Sequence, residues 1–173
     1  EDYLASLSVK QRHEIKRKLR RLEEAGNYRF IAHQQKEAIL KHLDAFIAMF
    51  QENPRKKEFL TAEMEAFFRK MIEEMANSGV LSMGILRLNN QDVAVVLYFD
   101  YNNNIYLYNS AYKYQYDWLS VGLLSKVLCI KNAIELRKSK FDFLKGAEEY
   151  KHRLGGKEIK LYNCEIELGQ KSC

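Results

Sequence analysis

Apolar side chains recur at helical spacing in the first half of the chain, and three helices are predicted there: residues 8–26, 34–50 and 59–76. The first helix opens with Ser8 and Gln11, which have the form of a capping box, and it ends at Gly26. Pro54 marks the break between the second helix and the third. A short β-prone run over residues 28–32 follows the first helix.

From residue 80 onward the pattern changes to the alternation of an extended chain. Three strands separated by asparagine-rich turns are predicted, over residues 80–88, 93–100 and 105–112, and they form an antiparallel meander. Residues 119–138 carry apolar side chains round most of a helical circumference, so this helix should be largely buried. Three shorter elements complete the prediction: a strand over 140–144, a turn or helix over 146–150, and a last strand over 159–168.

The order of these elements predicts the fold class. A strand, a buried helix and a second strand imply a right-handed parallel crossover. Joined to the meander, that crossover makes the sheet mixed, so we expect an α/β fold (α+β, mixed sheet). The chain has 173 residues, 47% of them hydrophobic, which suffices for one core. We assign residues 27–173 to a single domain and residues 1–26 to a basic helical segment before it.

Composition and chain ends exclude several classes of protein. A single proline and 29% charged residues argue against a disordered chain. No apolar run approaches the roughly 20 residues that span a bilayer, and the given N-terminus has no basic-then-apolar stretch, so we expect neither a membrane span nor a signal segment. The chain begins at Glu1 without an initiator Met, so we expect a piece of a longer protein. The three cysteines lack CxxC spacing and the four histidines lack metal-ligand spacing. We therefore expect a reducing cytoplasm and no metal site.

The charge is concentrated at the start of the chain. The formal net charge is +5, from 28 Lys and Arg against 23 Asp and Glu. Between residues 10 and 21, the first long helix carries one acidic residue, Glu14, against seven cations: Lys10, Arg12, Lys16, Arg17, Lys18, Arg20 and Arg21. These cations form either a solvated face or a surface for a cofactor phosphate, an RNA backbone or a neighbouring domain.

The start of the buried helix is the first candidate binding site. A parallel strand pair that follows a meander can leave a gap at the carboxyl ends of the strands, with the helix N-terminus aimed into it. Unpaired amides and the helix dipole at that position bind pyrophosphate. Ser120 can cap this helix, and Gly122 allows a ligand to approach the backbone closely.

Two motifs carry a resemblance that extends from Ser8 to about Gly155. One is residues 120–124, SVGLL; the other, more specific, is residues 141–155, FDFLKGAEEYKHRLG. With the basic opening of the chain, they resemble the GNAT-like acetyltransferase family that is associated with cellulose biosynthesis and related to FemAB-like aminoacyl transferases. The resemblance implies the acyl-CoA N-acyltransferase fold. It also implies transfer of an acetyl or other acyl group from a coenzyme A thioester to an amine or hydroxyl.

The resemblance and the strand pattern together nominate site residues. Tyr106, Tyr108, Ser110 and Tyr112 would share one face of a strand that splays near Asn109. The residues nominated for the cofactor, acetyl-CoA or another acyl-CoA, are Ser110, Tyr112, Ser120, Val121, Gly122, Leu123 and Leu124. For catalysis we nominate Asp142 or Glu149 as base and Tyr150 as acid. Tyr108, Lys151 and Arg153 are nominated for the acceptor substrate, a small molecule, saccharide or amino acid.

Two other functions remain open at this point. The basic helix favours a FemAB-like transferase that uses aminoacyl-tRNA. A non-catalytic GNAT-like interaction domain is the third interpretation, in which the chain pairs with a second such domain or with its own copy. Asp142 also has a purely structural interpretation, because a carboxylate between Phe141 and Phe143 can serve only as a hydrogen-bond acceptor.

Overall fold

The computed structural model describes residues 2–53, 58 and 60–165. Its helices are α1 (Asp2–Ser6), α2 (Val9–Ala25), α3 (Lys36–Lys41), α4 (Leu43–Gln51), α5 (Ala62–Asn77), α6 (Val121–Glu135) and α7 (Glu149–Arg153). Its strands are β1 (Tyr28–His33), β2 (Leu81–Leu88), β3 (Gln91–Tyr101), β4 (Asn104–Tyr112) and β5 (Lys140–Asp142). A 3-10 turn, Tyr114–Leu119, precedes α6. Within the described ranges, no helix is long and apolar enough to cross a membrane.

The five strands form one mixed sheet in the order β1-β2-β3-β4-β5. The first four strands are antiparallel neighbours, and β5 joins β4 in parallel. Tight turns of two asparagines with positive φ, Asn89-Asn90 and Asn102-Asn103, connect the strands of the meander, as hairpins of this length require. The predicted α/β fold with a mixed sheet is confirmed.

Helices cover both faces of the sheet, and each face has its own hydrophobic core. One face packs against α3, α4 and α5 through side chains such as Phe46 and Ile72. The other packs against α2 and α6 through side chains such as Leu22 and Leu124. The predicted burial of the helix after the meander is confirmed, because nine of its residues are buried.

The capping box at Ser8 and Gln11 is present, and it starts α2 where the sequence predicts. The backbone amide of Gln11 donates to the Ser8 hydroxyl at 3.3 Å, and the backbone amide of Ser8 donates to the side-chain oxygen of Gln11 at 3.0 Å. Ile15 and Leu22 are fully buried, so the predicted apolar stripe anchors this basic helix to the rest of the protein.

The single helix predicted over residues 34–50 is wrong, because the chain breaks at His42 into α3 and α4. His42 has φ −103° and ψ 2°, outside the helical region. Its Nδ1 lies 3.0 Å from the Asp92 carboxylate, and its ring stacks on His33 at 5.3 Å. These contacts hold residue 42 out of helical geometry, and no local spacing of apolar residues reports them.

Other predicted boundaries also change. The third helix starts at Ala62 because Thr61 caps it, its hydroxyl accepting from the Met64 amide at 3.2 Å; Pro54 and Phe59 lie outside the described residues. The helix predicted over 119–138 is shorter, α6, because Ser120 and Arg137 both have positive φ. The strand predicted over 140–144 ends at Asp142, since Leu144 also has positive φ.

The last predicted strand, over residues 159–168, is wrong as far as it is described. Residues 156–165 have no regular secondary structure, and residues 166–168 lie outside the described part of the chain. The alternation of apolar and charged residues is typical of a strand. However, Ile159, Leu161 and Tyr162 are 70–84% exposed, so they lack the buried surface that would hold a strand in place.

Candidate functional site

An opening in the sheet separates β4 from β5. The two strands pair only from Asn104↔Lys140 to Tyr106↔Asp142. Beyond Asp142 the chain turns away from β4 through positive φ angles at Leu144 and Gly146. The rest of β4 therefore has no described strand on that side, and one of its edges faces a cleft of about 240 Å³.

The cleft is lined from both faces of the sheet. Four of the nominated residues meet in it: Tyr108, Ser110, Tyr112 and Tyr150. Residues of β4 form its floor, while Met49 and Asn53 come from the end of α4 and its following turn. Lys126 of α6 and Glu148 complete the lining on the other side. A ligand in the cleft would contact the edge of β4 together with groups from both layers of helices.

A β-bulge at Tyr108 changes which side chains share a face of β4. Leu97 pairs with Asn109 and Tyr98 pairs with Leu107, so Tyr108 is the additional residue. The prediction that the four alternating residues from Tyr106 to Tyr112 share one face is therefore wrong.

Packing shows where the faces change. Tyr108 contacts Phe68 and Phe99, on the face of the sheet that α4 and α5 cover. Tyr112 lies on the opposite face, where it packs against the core formed with α2 and α6. The bulge thus places polar groups of β4 on both sides of the opening.

The start of α6 opens toward the same region. Ser120 has φ 57°, and its carbonyl accepts from the amides of Leu123 and Leu124 at 3.0 and 2.9 Å. Among the described residues, no hydrogen bond joins the backbone amides of Val121 and Gly122 to an acceptor. At Gly122, an added Cβ would lie 2.7 Å from the Tyr112 ring, so glycine is needed for this close contact.

A cation from α2 also reaches this helix start. Lys18 Nζ donates to Ser120 Oγ at 2.6 Å and lies 3.6 Å from the Glu14 carboxylate. Lys18 comes from the predicted basic helix, so one of the seven cations of that helix is placed beside the nominated cofactor residues.

Tyr150 and Lys126 form the wall opposite β4. Burial, reinforced by the nearby Glu148 charge, raises the pKa of Tyr150 to about 12. Its hydroxyl is therefore protonated at neutral pH and available as a donor. Lys126 Nζ lies 4.8 Å from the centre of the Tyr150 ring and donates to the Gly122 carbonyl at 2.7 Å. The side chain of Lys126 is thus held between the helix start and Tyr150.

Asp142 lies at the end of β5 and is not part of the described cleft lining. Its carboxylate accepts from the Leu144 amide at 2.8 Å and lies 2.7 Å from Lys140 Nζ. Partial burial acts to raise the pKa of Asp142, but these hydrogen bonds outweigh it and hold the pKa below its ordinary value. Asp142 is therefore a weak base in this setting, and its contacts are those of a residue that stabilises the turn.

The remaining nominated residues lie on α7 outside the described lining of the cleft. Glu149 and Arg153 form an exposed ion pair with each other at 2.7 Å. Lys151 is 8% exposed, and its ammonium donates to the carbonyls of Leu144, Lys145 and Gly146 at 3.0–3.2 Å. It also lies 2.8 Å from the Glu148 carboxylate. These contacts tie Lys151 to the turn after β5.

Sequence reasoning missed Lys126, Glu148 and Asn109 as cleft residues. A signal existed for Lys126, because a charged residue inside an otherwise apolar, buried helix requires a polar environment. No comparable signal exists for Glu148, one of several acidic residues after Gly146. Asn109 is placed by the bulge, which the alternation of β4 does not report.

The comparisons with known proteins agree with this geometry. The sequence profile of the family described as acetyltransferase (GNAT) domain matches residues 9–152. This range includes the basic helix, the meander, α6 and the cleft. A search of curated protein sequences found no match.

Several solved structures share the fold. An aminoglycoside acetyltransferase from an uncultured soil metagenomic sample, in complex with sisomicin, has a TM-score of 0.54 at 11% identity, covering 82% of this chain and 97% of that one. A ribosomal-protein-alanine N-acetyltransferase from Brucella melitensis biovar Abortus 2308 has a TM-score of 0.52 at 9% sequence identity, and the match covers 83% of this chain and 100% of that one. A conserved protein of unknown function from Bacteroides thetaiotaomicron VPI-5482 has a TM-score of 0.54 at 17% sequence identity, and the match covers 74% of this chain and 43% of that one. At these identities the likeness establishes the fold alone.

Proposed function

The chain belongs to the acetyltransferase (GNAT) domain family, and on that premise we propose that it transfers an acetyl or other acyl group from a coenzyme A thioester to an amine. The observation that carries this proposal is the opening between β4 and β5, with a cleft lined from both faces of the sheet. A donor and an acceptor can enter such a cleft from opposite sides and meet at the edge of β4.

The described residues fit the donor. The edge of β4 after Tyr106, with which no described strand pairs, runs along the cleft and suits the extended, amide-containing arm of coenzyme A. The open amides of Val121 and Gly122 suit its diphosphate, because a helix N-terminus favours negative charge. When bound, the acyl thioester supplies an activated carbonyl. Holding it along β4 limits the orientations from which an acceptor can attack, which lowers the entropic part of the barrier.

Tyr150 is the proposed proton donor to the departing sulfur. Its pKa of about 12 keeps the hydroxyl protonated throughout the physiological range. Lys126 lies next to the Tyr150 ring, and its ammonium is placed to stabilise negative charge that develops in the cleft.

Glu148 is the proposed proton acceptor for the attacking amine. It is the acidic residue within the described lining of the cleft, and its side chain is 58% exposed. Only a neutral amine attacks a carbonyl, so some group must take up the amine proton, directly or through water, and a carboxylate such as that of Glu148 can do this. Asp142 and Glu149, the bases nominated from sequence, lie outside that lining and would act through water.

The acceptor is proposed to approach from the α4 side, where Met49, Asn53 and Tyr108 line the cleft. Two of the enzymes that share the fold are described as acting on aminoglycosides and on ribosomal-protein alanine. Their descriptions support an amine of a saccharide or amino-acid compound as the class of acceptor here.

The direct test is release of free thiol from acetyl-CoA in the presence of an aminoglycoside or a peptide with an alanine N-terminus. We expect acceptor-dependent release, and Tyr150→Phe should lower kcat by about 10²-fold with little change in KM for acetyl-CoA. Tyr101→Phe is the matched control, since Tyr101 is 64% exposed and is not part of the described cleft lining. If no acyl-CoA and no amine supports release, the proposed activity is wrong.

A second candidate function is transfer from aminoacyl-tRNA, which the exposed cations of α2 favour. Binding of tRNA should then weaken steeply with salt, and reversal of Arg17 to Glu should reduce it further. A salt-independent response would exclude this candidate. A third candidate is a non-catalytic domain that pairs with a second GNAT-like domain. The matched region is 43% of the Bacteroides protein, so a region of this fold occurs there within a longer chain.

A further inference from the structure

Lys18 places a positive charge at the start of α6. Its ammonium donates to Ser120 Oγ at 2.6 Å, at the N-terminal end of α6, where the helix dipole is also positive. The Lys18 side chain is 15% exposed, and the Glu14 carboxylate lies 3.6 Å from its ammonium. A helix start and an ammonium at the same position together suit an anionic group.

An exposed aromatic surface lies beside this cation. Trp118, two residues before Ser120 in the 3-10 turn, is 59% exposed, and Tyr114 at the start of that turn is 60% exposed. The Arg21 guanidinium of α2 lies 5.8 Å from the centre of the Trp118 ring. Tryptophan is a large apolar side chain, and leaving most of its area in water forgoes the free energy of burying it.

The spacing along α2 places further positive charge here. Lys18 and Arg21 are separated by three positions and Arg17 and Arg21 by four, so the three cations share one face of the helix. That face meets the 3-10 turn at two points, Lys18 at Ser120 and Arg21 at Trp118.

This combination of groups selects the class of ligand. A planar aromatic face beside Arg suits stacking of a purine ring, and clustered cations suit phosphates. A simple phosphate would leave Trp118 unused, and a neutral saccharide would leave the cations unused. A nucleotide with several phosphate groups uses both features.

We propose that α2 and the 3-10 turn together form a binding surface for the adenosine 3′,5′-bisphosphate half of coenzyme A. This inference rests on the proposed function for its choice of nucleotide. It assigns the basic helix, which lies outside the sheet and the cleft, a role in donor recognition: Lys18 and Arg17 contact phosphate, and Arg21 with Trp118 holds the base.

Trp118 is the single tryptophan of the chain, so its fluorescence reports this surface directly. Titration with adenosine 3′,5′-bisphosphate should change that fluorescence saturably, and higher salt should weaken the binding. In calorimetry, Arg21→Gln and Trp118→Leu should each weaken the affinity about tenfold. Arg20→Gln is the matched control: it removes the same charge from the same helix at a side chain 70% exposed, and should remain within about twofold.

The failures of the two proposals are distinguishable. Acetyl-pantetheine lacks the nucleotide, so Arg21→Gln should leave transfer from it unchanged while impairing transfer from acetyl-CoA. Unaltered bisphosphate binding in both Arg21→Gln and Trp118→Leu, or binding of tRNA but not of the bisphosphate, would overturn this inference. Bisphosphate binding that requires Arg21 without transfer from any donor would support this surface and refute only the proposed activity.

Discussion

The Tyr112 ring occupies the space that a side chain at Gly122 would need, with its Cδ1 2.7 Å from the position of an added Cβ. This contact links the end of β4 to the start of α6. The Tyr112 hydroxyl donates to the Asp117 carboxylate at 2.9 Å, which fixes the ring from its other end. The width of the donor side of the cleft therefore depends on a glycine.

Gly122→Ala should test this link. The added methyl cannot fit without moving the Tyr112 ring, so we expect the free energy of unfolding to fall by about 1–3 kcal/mol and acetyl-CoA affinity to fall with it. Chemical denaturation and calorimetry measure the two effects. Combining Gly122→Ala with Tyr112→Ala should recover part of the stability, giving a favourable coupling between the two sites. Strictly additive effects would show that the contact is not the cause.

Lys126 should matter for turnover because its ammonium lies between the helix start and Tyr150. We expect Lys126→Met to lower kcat by about 10²-fold, the usual effect of removing one stabilising donor. Lys131→Met is a matched control on the same helix, since Lys131 is 68% exposed and pairs only weakly with Glu135 at 3.8 Å. Equal activity in both variants would remove Lys126 from the proposed mechanism. Thermal melting of both variants separates this effect from a loss of folding.

Lys151 offers a test of structure against substrate binding. Its ammonium donates to three backbone carbonyls and is 8% exposed. Replacing it by Met leaves those carbonyls unpaired, so the free energy of unfolding should fall by about 1–3 kcal/mol. Lys145 is exposed, so the control variant Lys145→Met should show little change in the free energy of unfolding. Should Lys151→Met instead raise KM for the acceptor at unchanged stability, the acceptor role nominated from sequence would hold.

His33 should make stability depend on pH. Burial, followed by the nearby charges of His42 and Arg87, lowers the pKa of His33 below its ordinary value of 6.5, and its Nε2 is buried without a hydrogen-bond partner among the described residues. The unfolded chain therefore binds more protons just below pH 6.5, so this contribution to stability is complete above 6.5 and is lost as the pH falls below it. Denaturation at pH 7.5 and 5.5 measures the loss.

The pH test has a matched pair of variants. His33→Phe keeps an aromatic ring against His42 but cannot be protonated, so the difference in stability between the two pH values should shrink. His13→Gln removes an exposed histidine and should leave that difference as in the unmodified protein. Identical pH dependence in His33→Phe and the unmodified protein would contradict the assignment.

Local patterns in the sequence were enough for most elements of the fold. Three features depend only on residues close together in the sequence, so the sequence alone predicts them: the capping box at Ser8, the paired asparagines of the hairpins and the apolar surface of α6. The mixed sheet followed from the order of the elements, since a parallel strand requires a crossover helix.

The features that shape the site depend on contacts between distant residues. The break at His42 is held by Asp92 and His33, and Lys18 reaches Ser120 across 102 positions. The bulge at Tyr108 reverses the expected face of Ser110 and Tyr112, yet an extra residue in a strand leaves the alternation of types almost unchanged. The motifs at residues 120–124 and 141–155 indicated the position of the cleft to within a few residues. Which side chains line it depends on contacts between elements that are distant in the sequence.

The central claim is that the acyl donor binds along β4 and the start of α6. Hydrogen exchange of the backbone amides, measured with and without saturating coenzyme A, tests it most directly. We expect exchange to slow at residues 107–111 and 121–124 while β1, at the far edge of the sheet, stays unchanged. Unchanged exchange at both segments, or protection confined to another part of the chain, would contradict the account.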